Sequence, residues 1–469
     1  MNKVDSPKSG MAGDYSPLVD GKARKRSRLG FITMISICIG LVIVQGSMLS
    51  ALQGVGIGGA AFVAAVIIAF ILSLFNAMTF SELSLMFPHA GTLGTYTEKA
   101  IGHFPAILAV YAGYVVVGVL GIPAEMFLVD AILNELLPGL FPSMLIPFVI
   151  LIALTITNVL GTDVFAKAQN FFAFILVCAL ITIGLTAVTG IAEPYPVLEN
   201  SALTWDLEKA LSVDTIGLIS LAMWMFVGVE FVCPMINEVK KPERDIPRAM
   251  ILSLCIMLGI YTFFIWGASK YLTPETLTGT PIPYLDYANA VFGKAGLLFA
   301  TVMAIAATCS TVNTVLASVS RMLQGMAENG QSFPQLKITS KRFGTPWVAI
   351  VFMSLMVSIF MMTMSIDFII VLVISASTSW LLAYIIAHVD VIVLRIRYPE
   401  LPRPYKSPFF PVPQFLGIIG MGYVAFNNSP TPELTQQIYI TAGSILLVIS
   451  IIAVLWVKLY MKKGLFTPE

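Results

Sequence analysis

Twelve long apolar runs divide the sequence, at residues 30–52, 57–79, 105–136, 142–160, 167–189, 214–236, 249–271, 296–320, 346–365, 368–390, 409–427 and 437–460. About 20 apolar residues coiled as a helix match the roughly 30 Å hydrocarbon core of a bilayer. Within lipid every backbone N–H and C=O must find its partner inside the chain, which leaves helices or a closed barrel. These runs are continuously apolar instead of alternating, and long strands are absent, so a barrel is excluded. The expected fold is an all-α integral membrane protein with 12 transmembrane helices. Run 3 exceeds the bilayer and needs tilt or an overhanging end.

Composition closes off the other classes. Of 469 residues, 57% are hydrophobic and 11% charged, against about 25% charged in a soluble domain. The net charge of +1 offers nothing to nucleic acid. Cys38, Cys178, Cys233, Cys255 and Cys309 all fall inside apolar runs without paired or metal-ligand spacing, as expected of packing thiols. His89, His103 and His388 have no second histidine at i+3 or i+4, so no metal site is expected. HExxH, a phosphate-cradling glycine loop and a nucleophile elbow are all missing, which argues against an enzyme.

Charge sets the orientation. An even number of runs puts both termini on one side, and 24 of the 27 Lys and Arg residues fall on that side, leaving Lys209, Lys270 and Lys294 opposite. The positive-inside rule makes it cytoplasmic. The expected organisation is a polar cytoplasmic tail at 1–28 with a basic cluster (Lys22, Arg24, Lys25, Arg26, Arg28), a membrane domain at 29–461 and a short cytoplasmic tail at 462–469.

Polar residues at membrane depth are the candidates for chemistry, because a charge at a helix centre costs about 2.5–3.5 kcal/mol on insertion scales. Glu125 in run 3 and Glu230 in run 6 are the acids nearest to run centres. In run 6, Gly228 has low helix propensity and the ring of Pro234 clashes with the carbonyl of Glu230. The helix is expected to open between them beside a carboxylate, or to kink without opening. Run 1 carries Gln45, Gly46 and Ser47 near its middle, which reads either as a second break or as a close helix contact. Gly118, Gly121 and Glu125 share one face of run 3, giving a groove ending in a carboxylate or an acid paired to a neighbouring hydroxyl.

The connections between runs carry a resemblance. FSELSLMFPHAGTLGTYTEKAIG (Phe80 to Gly102), GVEF and then NEVKKPERDIPRA (Asn237 to Ala249), ASVSRMLQGMAENGQSFP (Ala317 to Pro334), GTPWVAI (Gly344 to Ile350) and LRIRYPELPRPYKSP (Leu394 to Pro408) resemble, in order, the signatures of the amino acid–polyamine–organocation (APC) superfamily. The resemblance implies a LeuT-type fold, with runs 1–5 and 6–10 as a 5+5 inverted repeat, runs 1 and 6 broken at a central site, and runs 11 and 12 as two extra helices. Trp224, Phe226, Gly228 and Glu230 match the Trp-x-Phe-x-Gly-x-Glu pattern of antiporter-type relatives. By that match Trp224 gates the substrate with Phe226 beside it, and Glu230 is a gating or coupling carboxylate. The implied substrate-binding set is Gln45, Gly46, Ser47, Glu125, Trp224 and Gly228. Two positions depart from the pattern. Many relatives have Gly-(Ser/Ala)-Gly in run 1, where bare N–H groups hold the substrate carboxylate, and here Val44-Gln45-Gly46 stands instead. A lysine found mid-run 5 in some proton-coupled relatives is replaced near Leu176 by apolar residues.

The function implied is secondary active transport of amino acids or related amines across the cytoplasmic membrane by alternating access, as a permease or antiporter. The alternative is a polyamine or organic amine carrier, favoured by Glu125 and the altered run 1. The partners implied are the small-molecule substrate, the lipid bilayer, and a coupling proton or counter-substrate. No cofactor is implied.

Overall fold

A computed structural model of the chain describes residues 29–191, 203, 206–211, 213–280, 282–428 and 432–469. The basic cluster of the N-terminal tail lies outside them. Among the described residues the fold is all-helical, with one isolated bridge between Leu29 and Val239. Every apolar run coincides with a helix. Seven helices are long and apolar enough to cross a membrane, or eight when the bent pair Phe31–Val42 and Gln45–Gly58 counts as one. Leu145–Val159, Trp347–Thr363 and Val412–Phe426 are shorter apolar helices.

Outward faces keep large apolar side chains in the open, Phe174 at 70% and Leu447 at 62% exposure among them. A soluble surface avoids contiguous apolar patches of this kind, and a lipid surface accepts them. Several helices run past the apolar runs, as Ala60–Met86 and Gly296–Glu328 do, because the helix continues into polar ends where charged residues pair. Glu82, fully buried, receives the Arg395 guanidinium at 2.8 Å and 2.5 Å and the Ser407 N–H at 2.8 Å.

Three of the irregular helices supply the buried acids or their neighbours. Run 1 breaks at Ile43 and Val44 with a bend of 60°. Run 6 is helical over Val213–Met223, turns through 224–228, and resumes as a 3-10 helix over Val229–Glu238. The opening therefore lies before Gly228, whereas the sequence places it between Gly228 and Pro234. Gly228 takes φ +121°, a conformation that glycine adopts at little cost, and so absorbs the change of direction. Pro234 has no N–H for the i→i+3 ladder, and the Phe231 carbonyl it leaves free accepts from the Ser318 hydroxyl at 2.7 Å instead. Run 3 contains a single π-helical turn, Tyr111–Val115, which its sequence did not announce.

Candidate functional site

The half-helix Gln45–Gly58 begins in mid-fold, so its first N–H groups have no partner within the helix and carry the positive end of its dipole. The Glu125 carboxylate covers them. Gln45 N–H donates to Oε2 and Gly46 N–H to Oε1, both at 3.2 Å, and the Thr308 hydroxyl donates to Oε2 at 3.2 Å. The Gln45 amide turns aside, donating to the Thr308 hydroxyl at 2.8 Å and to the Glu125 carbonyl at 3.2 Å while accepting from the Tyr284 hydroxyl. Ser47 caps the break, its hydroxyl accepting from Val44 N–H at 2.9 Å and from the Tyr261 hydroxyl at 2.7 Å. Gln45, Ser47 and Glu125 are all buried.

The β-carbons at Val44 and Gln45 leave this backbone open to the carboxylate of Glu125. Both N–H groups are reachable and occupied. A Cβ placed on Gly46 would sit 3.6 Å from Glu125 Oε1, an ordinary contact, so glycine is not what admits the carboxylate there.

Glu230 follows Gly228 at the start of the 3-10 helix and is buried too. Its Oε1 accepts from the Tyr384 hydroxyl at 2.8 Å and from Trp380 Nε1 at 3.3 Å. Both donors come from the helix Ile366–Arg397, one turn apart. Tyr114, carried on the π turn of run 3, packs against Phe231 and Trp380 with ring centroids at 5.4 Å and 6.3 Å. Phe226 is buried between the rings of Phe70 and Tyr261. Trp224 is half-buried where the turn begins.

Runs 1 and 3 thus unite Gln45, Gly46, Ser47 and Glu125, whereas Trp224, Phe226 and Gly228 lie on the opened stretch of run 6 and Glu230 just beyond it. Sequence reasoning missed Thr308, Tyr261, Tyr284, Trp380 and Tyr384. The signal for the last two was their i, i+4 spacing after Ser375, Ser377, Thr378 and Ser379 in run 10. Tyr284 belongs to a short helix, Pro283–Phe292, outside the apolar runs and without a signal of its own.

At the end where most basic residues gather, a clasp ties four segments together. Arg321 donates to Glu238 Oε1 at 2.7 Å and to Oε2 at 3.1 Å, and the Thr162 hydroxyl donates to Oε2 at 2.6 Å. Leu29 N–H donates to the Glu238 carbonyl at 2.6 Å. The C-terminal segment folds back onto the same end, its Leu465 carbonyl accepting from Phe104 N–H at 3.0 Å and Glu469 standing 3.4 Å from His103. His388 is held by Thr79 and Asn76 with its ring against Gly417, as a packing residue would be.

A protein-family model described as amino acid permease matches residues 29–456. The serine/threonine exchanger SteT of Bacillus subtilis (strain 168) is 24% identical over 437 residues, 89% of this chain and 94% of that protein. The gamma-aminobutyric acid permease of Escherichia coli (strain K12) is 27% identical over 341 residues, 68% of this chain and 69% of that protein. The solved structure of a mutant manganese transporter of Eremococcus coleocola has a TM-score of 0.59 at 10% identity, covering 91% of this chain and 94% of that one. At that identity the likeness is one of fold.

Proposed function

The chain belongs to the amino acid permease family, as a multi-pass membrane transporter and not an enzyme, and from that premise we propose that it carries amino acids or related amines by alternating access. The observation that carries this reading is the pair of buried carboxylates, Glu125 and Glu230, each set at a broken helix. Irregular backbone at membrane depth is tolerated where it lines a cavity, and substrate sites of such carriers form at discontinuous helices. Twelve transmembrane helices, with runs 1–5 and 6–10 as inverted repeats, would bring the two breaks together at the midplane. The basic end, with both termini, would face the cytoplasm in the cytoplasmic membrane.

In this reading Gln45, Gly46, Ser47, Glu125, Trp224 and Gly228 contact the substrate. Trp224 closes over it from the extracellular side with Phe226 as the packed base of that lid, and Glu230 couples the conformations to a proton or to a counter-substrate. The exchanger among the relatives favours antiport. Purified protein reconstituted in proteoliposomes decides the matter. Uptake of labelled serine, leucine or ethanolamine should accelerate several-fold when the lumen is loaded with unlabelled substrate. Saturable uptake that ignores the lumen would point to a permease without exchange, and uptake that scales linearly with concentration without saturating would point to a channel.

A further inference from the structure

We propose that Glu125 is a built-in carboxylate that occupies the place of a substrate's own, so that the carrier selects organic ammonium ions lacking an α-carboxylate over the parent amino acids. This rests on the reading of the run 1 break as the substrate site.

The start of a half-helix attracts an anion through its free N–H groups and its dipole. In transporters with discontinuous helices that anion is a group of the substrate. In this chain both N–H groups, on Gln45 and Gly46, already donate to the two oxygens of one carboxylate. That carboxylate arrives from run 3, about 80 positions along the chain from its donors. A helix start that needs only a cap is served locally, and Ser47 performs that service for Val44. Glu125 is therefore more than a cap is required to be.

Charge takes the argument further. The hydrogen bonds to Glu125 come from two backbone N–H groups and the Thr308 hydroxyl. Those to Glu230 come from a phenol and an indole. All are neutral donors. A buried charge is costly unless it is paired, and the ligand that completes such a site is a cation. An ammonium can still approach Glu125, because each carboxylate oxygen accepts more than one hydrogen bond. An α-amino acid would bring a second carboxylate to N–H groups that are taken, and would have to displace Glu125 or stand unpaired beside it.

Competition between matched pairs tests this: ethanolamine against serine, cadaverine against lysine, and isoamylamine against leucine. Binding is read by ligand-induced thermal shift on purified protein and by exchange in proteoliposomes. The wild type should prefer the amine of at least one pair tenfold or more. Glu125→Gln keeps shape and one acceptor but loses the charge, and should lose amine binding by tenfold or more. Glu125→Ala vacates the N–H groups and should narrow or reverse the preference in favour of the amino acid. If Glu125→Ala does not fold, Glu125→Gln still decides, since its amide cannot balance an ammonium. A wild type that prefers the amino acid of every pair overturns the proposal and leaves the transporter reading intact. Equal losses of amine and amino acid in Glu125→Gln reduce Glu125 to a cap and also overturn it. If no member of any pair binds or exchanges, the substrate-site reading falls and takes the proposal with it.

Discussion

Glu125 and Glu230 illustrate what a single residue can and cannot announce. An acid inside an apolar run is costly enough to signal a function from the sequence, and both sit at helix breaks. Their partners were not legible, because a tyrosine or threonine in an apolar run is ordinary and nothing local says which one turns inward. The N–H groups freed at a break need an acceptor, and either acid has the chemistry to be it. In the fold that work falls to Glu125, and Glu230 turns to Tyr384 and Trp380. Tyr384→Phe should therefore cost stability, about 1.5–3 kcal/mol for a lost hydrogen bond to a charged acceptor, read by thermal or denaturant unfolding in detergent. The double variant Tyr384→Phe with Glu230→Gln should recover part of that loss, and strict additivity would mean that the pair is not coupled. At the opened turn, Trp224→Phe should keep most of the exchange rate and Trp224→Ala little of it. Equal rates would show that no large ring is needed there.

At the scale of elements, the apolar runs were legible as helices because lipid enforces one rule over about 20 residues at a time. The breaks were legible in kind but not in register. Pro234 drew attention to the stretch after Gly228, yet a 3-10 helix accommodates that proline, and the unwinding falls on 224–228 instead. A positive φ leaves no mark in a sequence beyond the glycine itself, and most glycines here are merely small. Two of them make a matched test. Gly228 has φ +121° and Leu41 Cδ2 stands 2.8 Å from where a Cβ would go. Gly228→Ala should cost about 1–3 kcal/mol through backbone strain and abolish exchange. Gly121, in a regular helix, has nothing within 4 Å of its added Cβ. Gly121→Ala should be neutral or stabilising by up to about 1 kcal/mol, since alanine is the better helix former. Should both variants exchange like the wild type, the turn at Gly228 would not matter to transport.

For the whole molecule, the decisive feature is that Gln45, Glu125 and Glu230 are buried at its centre while an ionic clasp at one end ties run 1 to run 6. Glu238 ends run 6, Leu29 starts run 1, Thr162 starts the helix of run 5 and Arg321 lies in the helix Gly296–Glu328. The clasp therefore joins the halves of both broken helices at this end to the helices around them. In the proposed alternating-access cycle, access from this end requires those halves to part, so the bidentate pair opposes opening. Arg321 is almost fully buried and Glu238 keeps 20% of its side chain exposed, which lets Glu238 rehydrate when its partner is gone. Hydrogen bonds to charged groups are worth about 1.5–3 kcal/mol each, and 1.4 kcal/mol is a tenfold change in population. Arg321→Ala should thus raise the fraction open at this end by tenfold or more. Cys38 reports it without engineering, because its buried thiol donates to the Val229 carbonyl at 3.4 Å, between the two halves that must separate. Maleimide labelling followed by mass spectrometry should find Cys38 modified many-fold faster in Arg321→Ala than in the wild type. Cys178 and Cys255, already exposed on the outer face, should label alike in both. If Cys38 stays protected while exchange is lost, the clasp serves folding and not access, and the barrier between the centre and this end must lie deeper, at the rings around Glu230.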